Sequence, residues 1–284
     1  MADRSGAAAG SGLTIARMVG FADFTMASCC GPAGLDQTDA VQQRYGAAAA
    51  EREACLCTPV AFDATLLEVI PAEVVERDYG CGDPTRWVQS GDTVLDLGSG
   101  SGKNAFICAQ VVGAGGHVLG VDRNAEMLAL SRAAAPVVAQ RIGVANVEFL
   151  EGAIEALDAP TANGLPLVAD ASVDLVLSNC VLNLVNPSAR ERLLANIRRV
   201  LRPGGRVAIS DIVCDQPVPL ALQHDPELWS GCISGAWQEQ AFLADFEALG
   251  FENVHYADRS SEPWRVVEGI EFRAVTLVGV VPGG

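Results

Sequence analysis

Nine cysteines are the residues of this chain with the most evident capacity for chemistry, because a thiolate is both a nucleophile and a soft ligand. They are spread along the sequence: Cys29, Cys30, Cys55, Cys57, Cys81, Cys108, Cys180, Cys214 and Cys232. An odd number of cysteines in a chain of 284 residues is not the pattern of a disulfide-stapled domain. The pattern favours metal or metalloid chemistry at some cysteines and a buried apolar role at the others.

A structural zinc site is the main alternative for these thiols. Zinc ligands usually come in pairs with two to four residues between them, whereas Cys55 and Cys57 are separated by one residue and no second close pair follows. A role in the core is expected for Cys108, inside a predicted helix, and for Cys214, beyond a predicted strand. The adjacent pair Cys29–Cys30 could bind a metal, but an incidental role is favoured.

A glycine-rich loop indicates a second function. Residues 96–104 read Asp-Leu-Gly-Ser-Gly-Ser-Gly-Lys-Asn. A P-loop needs G-x-x-x-x-G-K-[ST], and Leu97 and Asn104 break that template. A dinucleotide fingerprint needs G-x-G-x-x-G, and Lys103 breaks it. The loop resembles the G-x-G-x-G loop of class I S-adenosylmethionine (SAM) methyltransferases, where glycines let the backbone pass close to the cofactor.

Asp122 supports the SAM interpretation. It ends the next apolar run, 24 residues after Gly98, where a carboxylate can accept hydrogen bonds from both ribose hydroxyls. A glycine-rich turn without a ligand is the simplest alternative, but it does not account for Asp96 and Asp122 as well. Ile154 is expected at the adenine and Asn179 at one end of the cofactor. The candidate cofactor-binding residues are Asp96, Gly98, Ser99, Gly100, Gly102, Asp122, Arg123, Ile154 and Asn179.

The elements that must position these residues follow a regular alternation from about residue 91. Short apolar runs predict strands, and amphipathic segments predict helices between them. The strands are expected at 93–97, 118–121, 147–150, 173–178 and 206–210, and the helices at 103–112, about 124–140 and 188–201. This order predicts right-handed βαβ units, a doubly wound parallel sheet and a ligand at the carboxyl ends of its strands. A helix at 238–249 and strands at 253–256 and 272–280 should complete the chain.

Five motifs carry a resemblance to a known family. They are YGCG (79–82), VLDLGSGSGKNAF (94–106), GVDRNAEML (120–128), SNCVLNL (178–184) and GCISGA (231–236). With these motifs, most of the span 41–280 resembles the arsenite SAM methyltransferases. The glycine loop is generic to SAM enzymes, whereas the three cysteine motifs are much more specific. The resemblance implies an α/β class I methyltransferase, with a Rossmann-like doubly wound sheet, a small N-terminal helical segment and a C-terminal cap.

The resemblance also assigns roles to individual cysteines. It implies that Cys81, Cys180 and Cys232 bind trivalent arsenic, and that a further thiol, Cys55 or Cys57, relays arsenic and can pair with Cys81. It implies a thiol reductant of the glutathione or thioredoxin type, because oxidation of arsenic is coupled to disulfide formation. The chain departs from the family pattern at Asp83-Pro84-Thr85-Arg86-Trp87, where a small apolar continuation is expected, and in its short C-terminal part.

This chemistry explains why thiols would be needed. Trivalent arsenic is soft and suits soft thiolates, and three of them can surround pyramidal arsenic while its lone pair faces the methyl group. Methyl transfer from a sulfonium is an in-line displacement, so much of the rate comes from positioning. Cys180 should lie just past the fourth strand, Cys81 on a loop before the sheet and Cys232 on a segment across the cleft. We expect a lowered pKa at these thiols.

Composition excludes several other classes. The chain has 19 basic and 35 acidic residues and a formal charge of −16, which argues against nucleic acid and anionic membranes as partners. No run reaches the roughly 18 apolar residues of a membrane-spanning helix, and Arg17 and Asp23 interrupt the apolar run of a poor signal peptide. A cytoplasmic protein with reduced thiols is expected, acting in arsenic detoxification.

Four segments are expected from these arguments. Residues 1–40 form a flexible arm, 41–90 a helical segment with substrate-binding cysteines, 91–215 the SAM-binding domain, and 216–284 a substrate-binding segment that completes the sheet. Two other functions stay open. One is a SAM methyltransferase acting on another soft or organic nucleophile, and the other is a protein that binds metalloids without catalysis.

Overall fold

The computed structural model describes residues 37–50 and 60–283. Their strands form a single mixed sheet. In chain order the strands are β1 (Thr93–Leu97), β2 (His117–Asp122), β3 (Val147–Glu151), β4 (Val173–Asn179), β5 (Leu201–Cys214), β6 (Trp237–Gln238), β7 (Glu252–Arg259), β8 (Arg265–Val267) and β9 (Ile270–Val280). The order across the sheet is β3-β2-β1-β4-β5-β9-β7, with β6 beside β5 and β8 beside β9. Strands β1 to β5 are parallel, and β9 pairs antiparallel with β5.

Helices cover both faces of this sheet. They are α1 (Gln37–Ala50), α2 (Ala64–Leu67), α3 (Ala72–Glu76), α4 (Lys103–Val112), α5 (Ala125–Ile142), α6 (Arg190–Val200), α7 (Leu220–Gln223), α8 (Pro226–Ser230) and α9 (Glu239–Ala248). An apolar core lies on each face of the sheet, and successive residues of β1 contribute to both. Val94 packs on one face with Phe106 of α4, and Leu95 packs on the other face with Ile197 of α6. Strand alternation between two apolar layers is what the doubly wound arrangement requires.

The predicted alternation of strands and helices is confirmed. Helix α4 has the predicted bounds, and Asn124 caps α5 by accepting the Met127 N–H at 2.9 Å. Two details of the strands differ from the predictions. Strand β5 begins at Leu201 rather than at 206, so Arg202–Gly205 lie in the strand and not at a helix end. Strands β6 and β8 were not predicted, because two and three residues are too short to show a period.

The N-terminal segment is less helical than predicted. Residues 60–90 contain the short helices α2 and α3 and a 3-10 turn at Pro84–Trp87, with irregular backbone between them. Helix α1 begins at Gln37, within the span assigned to the arm. The rest of the predicted arm, with Cys29–Cys30, and the thiols Cys55 and Cys57 lie outside the described residues. No helix in the described ranges is long and apolar enough to span a membrane.

Candidate active site

A cleft opens at the carboxyl ends of β1, β2 and β4, where the topology predicts a ligand. Its free space is about 1090 Å³, including the part that is open to solvent. Helix α1 forms its outer wall. Seven of the nine candidate cofactor residues line it: Gly98, Ser99, Gly100, Asp122, Arg123, Ile154 and Asn179. The other two, Asp96 and Gly102, do not line the cleft.

The glycine loop forms the floor of the cleft. Gly98 has a φ of +69°, and a Cβ there would lie 2.4 Å from Val181 Cγ1, so both the turn and the contact require glycine. The structure places Gly102 behind the loop. It precedes α4, and a Cβ on it would meet the rings of Phe106 and Phe149 at 2.9 Å. It therefore permits close packing behind the loop.

Asp122 at the end of β2 holds the loop in place. Its Oδ2 accepts the Gly100 N–H and its Oδ1 the Asn124 N–H, each at 2.8 Å. Burial raises the pKa of this carboxyl, while the backbone hydrogen bonds act in the opposite direction. Each carboxylate oxygen has a second lone pair, and Asp122 lines the cleft. The arrangement fits the two ribose hydroxyls of an adenosine cofactor.

Asp96 lies behind the loop rather than in the wall of the cleft. It is 1% exposed, and its Oδ2 has no hydrogen-bond partner within the described part of the chain. Burial, with Asp78 and Asp122 nearby, raises the pKa of Asp96 to about 8. Lys103 forms an ion pair with Asp78. Asp78, unlike Asp96, lines the cleft. Asp96 thus lies below the loop, and a contact between it and the cofactor stays a prediction.

Asn179, the last residue of β4, binds the YGCG segment. Its Oδ1 accepts the N–H groups of Cys81 and Gly82 at 2.9 and 3.2 Å, and its Nδ2 donates to the Gly82 carbonyl at 2.8 Å. A Cβ on Gly80 would lie 2.3 Å from Asn179 Nδ2. Glycine is required at position 80 because the backbone there passes too close to this amide for a side chain. Asn179 therefore positions Cys81, in addition to lining the cleft.

The structure places the three candidate arsenic-binding cysteines in one buried cluster, but the Cys232 sulfur does not lie within 4.8 Å of both other sulfurs. Cys81 and Cys180 are joined by a disulfide bond, with Cα atoms 5.9 Å apart and a sequence separation of 99. The Cys232 thiol donates a hydrogen bond to the Cys180 carbonyl at 3.2 Å. All three are buried. In the described ranges, the group of ligand atoms within 4.8 Å of one another consists of the Cys81 and Cys180 sulfurs and a carboxylate oxygen of Asp211.

Two of these cysteines adopt an unusual backbone conformation. Cys180 has a φ of +61° and Cys232 a φ of +60°, in the left-handed region that L residues other than Asn and Asp rarely occupy. Such a residue costs roughly 1–3 kcal/mol, and strain of this kind clusters at functional sites.

The electrostatics of Cys232 differ from the expectation of an activated thiolate. Burial and the nearby Asp211 raise the pKa of the Cys232 thiol well above its usual range, and a hydrogen bond with Tyr45 and the charge of Arg44 only partly oppose this. Cys232 is therefore a neutral thiol in the folded protein. Tyr45 also lines the cleft and packs edge to face on Tyr79, with ring centroids 6.1 Å apart.

Helix α1 connects the two halves of the site, and its role was not predicted. Asn124 Nδ2, beside Asp122, donates to the Gln42 carbonyl at 3.3 Å, and the Tyr79 hydroxyl to the Ala48 carbonyl at 2.9 Å. At the other side, Arg44 Nη1 donates to Ser230 Oγ at 3.0 Å, two residues before Cys232. The helix thus contacts Asn124, which follows Asp122 of the cleft, and it also contacts the Cys81 segment and the Cys232 segment.

Two further cysteines behave as the sequence predicts. Cys108 is fully buried in α4 among apolar side chains. Cys214 is buried at the end of β5, where its thiol donates to the Trp237 carbonyl at 3.2 Å. Both are free thiols.

The fold and the site together define a class I SAM-dependent methyltransferase. Residues 88–250 match the family model described as a methyltransferase domain. The crystal structure of CrArsM, an arsenic(III) SAM methyltransferase from Chlamydomonas reinhardtii, has a TM-score of 0.69 and 32% identity. That match covers 80% of this chain and 76% of CrArsM. This chain belongs to the arsenite methyltransferase family.

Curated relatives agree with this assignment. The arsenite methyltransferase of Halobacterium salinarum is 41% identical over 238 residues, covering 82% of this chain and 56% of that protein. The arsenite methyltransferase of Homo sapiens is 34% identical over 189 residues, covering 65% of this chain and 48% of that protein. The chain therefore spans about half the length of the curated relatives that it matches.

Proposed function

We propose that this protein transfers a methyl group from SAM to trivalent arsenic held by Cys81, Cys180 and Cys232. The observation that carries the proposal is that these three cysteines come from distant parts of the chain into one buried cluster. Within it, Cys81 is joined to Cys180, and Cys180 lines the glycine-loop cleft. We further propose that the protein acts in the cytoplasm, in arsenic detoxification, with a thiol reductant of the glutathione or thioredoxin type.

The residues of the cleft suit SAM, which supplies a methyl group on a positively charged sulfonium. Asp122 would accept hydrogen bonds from the ribose hydroxyls, and the backbone at Gly98 and Gly100 would pass beside the methionine part. Ile154, which is buried in the cleft wall, would pack on the adenine ring. The contribution of the protein to the rate would be alignment of the arsenic lone pair with the methyl group.

Arsenic capture would begin with reduction of the Cys81–Cys180 disulfide. Each thiol then exchanges with one hydroxyl of arsenous acid: an As–O bond breaks, an As–S bond forms, and the hydroxide leaves with the thiol proton as water. A neutral thiol supplies the proton that this step consumes. The raised pKa of Cys232 is therefore compatible with its proposed role, and the site does not require a preformed thiolate.

The test is an assay of arsenic species. Purified protein is incubated with SAM, a thiol reductant and arsenite, and the species are separated by chromatography with elemental detection. Methylated arsenic is expected, and separate Cys81→Ser, Cys180→Ser and Cys232→Ser variants should lose it while retaining SAM binding. Cys214→Ser is the matched control, because it removes a buried thiol of the same region that is not proposed to bind arsenic.

The outcomes separate the proposed function from its alternatives. If arsenic stays inorganic while SAM binds, the enzyme acts on another nucleophile, and thiol-blocked protein should then still methylate that substrate. If the protein binds arsenite but does not bind SAM, it sequesters metalloids. If the three serine variants keep full activity on arsenite, arsenic methylation does not use this trithiolate.

A further inference from the structure

Asp211 is a buried carboxyl group that the proposed trithiolate does not use. It lies in β5, next to Ser210, whose carbonyl accepts the Cys180 N–H at 2.8 Å. This pairing of β4 with β5 brings Asp211 beside the cysteine that follows β4. One carboxylate oxygen of Asp211 lies within 4.8 Å of the sulfurs of both Cys81 and Cys180, and the side chain is 1% exposed.

The hydrogen bonds of Asp211 leave part of its capacity unused. Its Oδ1 accepts the Ile212 N–H at 2.8 Å, and its Oδ2 accepts the Asn183 N–H at 3.3 Å. The Leu182 N–H is a third backbone donor. A carboxylate can accept about four hydrogen bonds, so one position is left. Burial raises the pKa of Asp211 to about 7, and its backbone hydrogen bonds and the charge of Arg190 only partly oppose this. Among the described residues no cation lies close enough to Asp211 for an ion pair, so a further hydrogen-bond donor would stabilise its charged form.

The chemistry of arsenite supplies a donor for that position. Exchange of two hydroxyls of arsenous acid with Cys81 and Cys180 releases two waters and leaves arsenic with two sulfurs and one hydroxyl. We propose that Asp211 accepts a hydrogen bond from this remaining arsenic-bound hydroxyl, and that it thereby favours inorganic arsenite over methylated trivalent arsenic. The inference rests on the proposed function, since it concerns the same two thiols and the same substrate.

The proposed contact predicts a specific preference. A monomethylated or monoaryl arsenical has two exchangeable hydroxyl equivalents, so its adduct with Cys81 and Cys180 carries no hydroxyl and offers Asp211 no donor. In the arsenite adduct, Cys232 later replaces the last hydroxyl, which leaves with the Cys232 proton as water. Asp211 would thus hold the intermediate in the orientation in which that hydroxyl faces away from solvent and toward the third thiol.

A purely architectural role is the competing explanation, because the backbone bonds of Asp211 anchor the 3-10 turn Leu182–Leu184. The two explanations differ in substrate dependence. Loss of the turn would weaken every arsenical equally, whereas loss of the hydroxyl contact would weaken arsenite alone.

The test measures binding without turnover, in a Cys232→Ser background where the two-sulfur adduct is the final one. Reduced protein freed of excess reductant is titrated with arsenite and with phenylarsine oxide, with and without Asp211→Asn. We expect Asp211→Asn to weaken arsenite binding at least about tenfold, the range of a hydrogen bond to a charged group, and to change phenylarsine oxide binding less than twofold.

Equal weakening for both arsenicals, or no change for either, overturns the inference. SAM affinity and thermal unfolding verify that the variant is folded. If Asp211→Asn does not fold, Asp211→Ser carries the same comparison, because its hydroxyl can still accept one backbone N–H in a smaller volume. The result is independent of methylation: a wild-type protein that binds both arsenicals but methylates neither refutes the proposed function and leaves the comparison of affinities intact.

Discussion

Replacement of Asp122 by asparagine should weaken cofactor binding by an amount that the structure defines. The two oxygens of Asp122 accept the Gly100 and Asn124 N–H groups at 2.8 Å, and the Arg123 N–H is a third backbone donor. A carboxylate accepts about four hydrogen bonds, so a position is left for a ribose hydroxyl. The amide of asparagine keeps a single acceptor oxygen and no charge, and the variant therefore loses the charge-assisted hydrogen bond to the ribose.

A hydrogen bond to a charged group contributes about 1.5–3 kcal/mol, so SAM affinity should fall roughly 10- to 150-fold. Isothermal titration calorimetry with SAM, or with its demethylated product, measures this directly. Asp158→Asn is the matched control. Asp158 pairs with Arg192 in a surface ion pair, so that variant should bind SAM as the wild type does.

The reasoning fails if Asp122→Asn binds SAM within twofold of wild type while its thermal midpoint is unchanged. That result would mean that Asp122 only holds the Gly100 and Asn124 N–H groups, and that the ribose lies elsewhere. A large loss of both SAM affinity and thermal stability in Asp122→Asn would instead indicate collapse of the loop. In that case, normal SAM binding by Asp158→Asn would give no support to a ribose contact.

Three further predictions follow from the same geometry. Tyr45→Phe removes the hydrogen bond with Cys232 and should weaken arsenite binding roughly 2- to 10-fold, the range of one hydrogen bond. It should not weaken arsenite binding further in a Cys232→Ser background, and additive effects in this double-mutant cycle would contradict a contact between the two side chains. Gly80→Ala should displace the Asn179 amide and reduce arsenite binding, with SAM binding reduced less; an unchanged arsenite affinity would show that the segment can shift freely. The pKa of Asp96 is raised from its ordinary 3.8 to about 8. Between these pH values the folded protein holds a proton that the unfolded chain has lost, so the free energy of unfolding decreases as the pH rises. Asp96→Asn should make this decrease smaller in thermal unfolding from pH 5 to 8.5, and an unchanged pH dependence would refute the assignment.

The fold could be predicted from the sequence because its signals are local. Apolar runs of four to six residues ended at Asp, Gly or Asn, and amphipathic helices with good caps lay between them, so β1 to β4 and α4 to α6 follow directly from periodicity. The glycine loop could be assigned for the same reason, since its function depends on residues within one turn. The proposed cysteine roles came from motif resemblance, because no periodic pattern relates thiols that are 99 residues apart.

The residues that the sequence could not indicate are those whose role depends on tertiary contacts. Asp211 continues a predicted strand, and nothing local shows that strand pairing brings its carboxylate to Cys81 and Cys180. Tyr45 lies in an alanine-rich helix whose position over the cleft depends on contacts far along the chain. Asp96 and Asn179 were interpreted through motif membership, but burial of one and the hydrogen bonds of the other give them supporting roles.

The backbone conformation at Cys180 and Cys232 is a physical argument that these residues serve chemistry rather than packing. A buried cysteine used as an apolar filler gains nothing from a left-handed φ, and glycine would relieve roughly 1 kcal/mol or more of strain at either position. Cys108 and Cys214, the two buried thiols outside the site, do not have a positive φ. The strained pair are also the two whose turns bring the Cys232 thiol to within 3.2 Å of the Cys180 carbonyl. Ala171, Asn253 and Glu268 also have a positive φ, but among the described cysteines this conformation occurs at two of the three that we propose to bind arsenic.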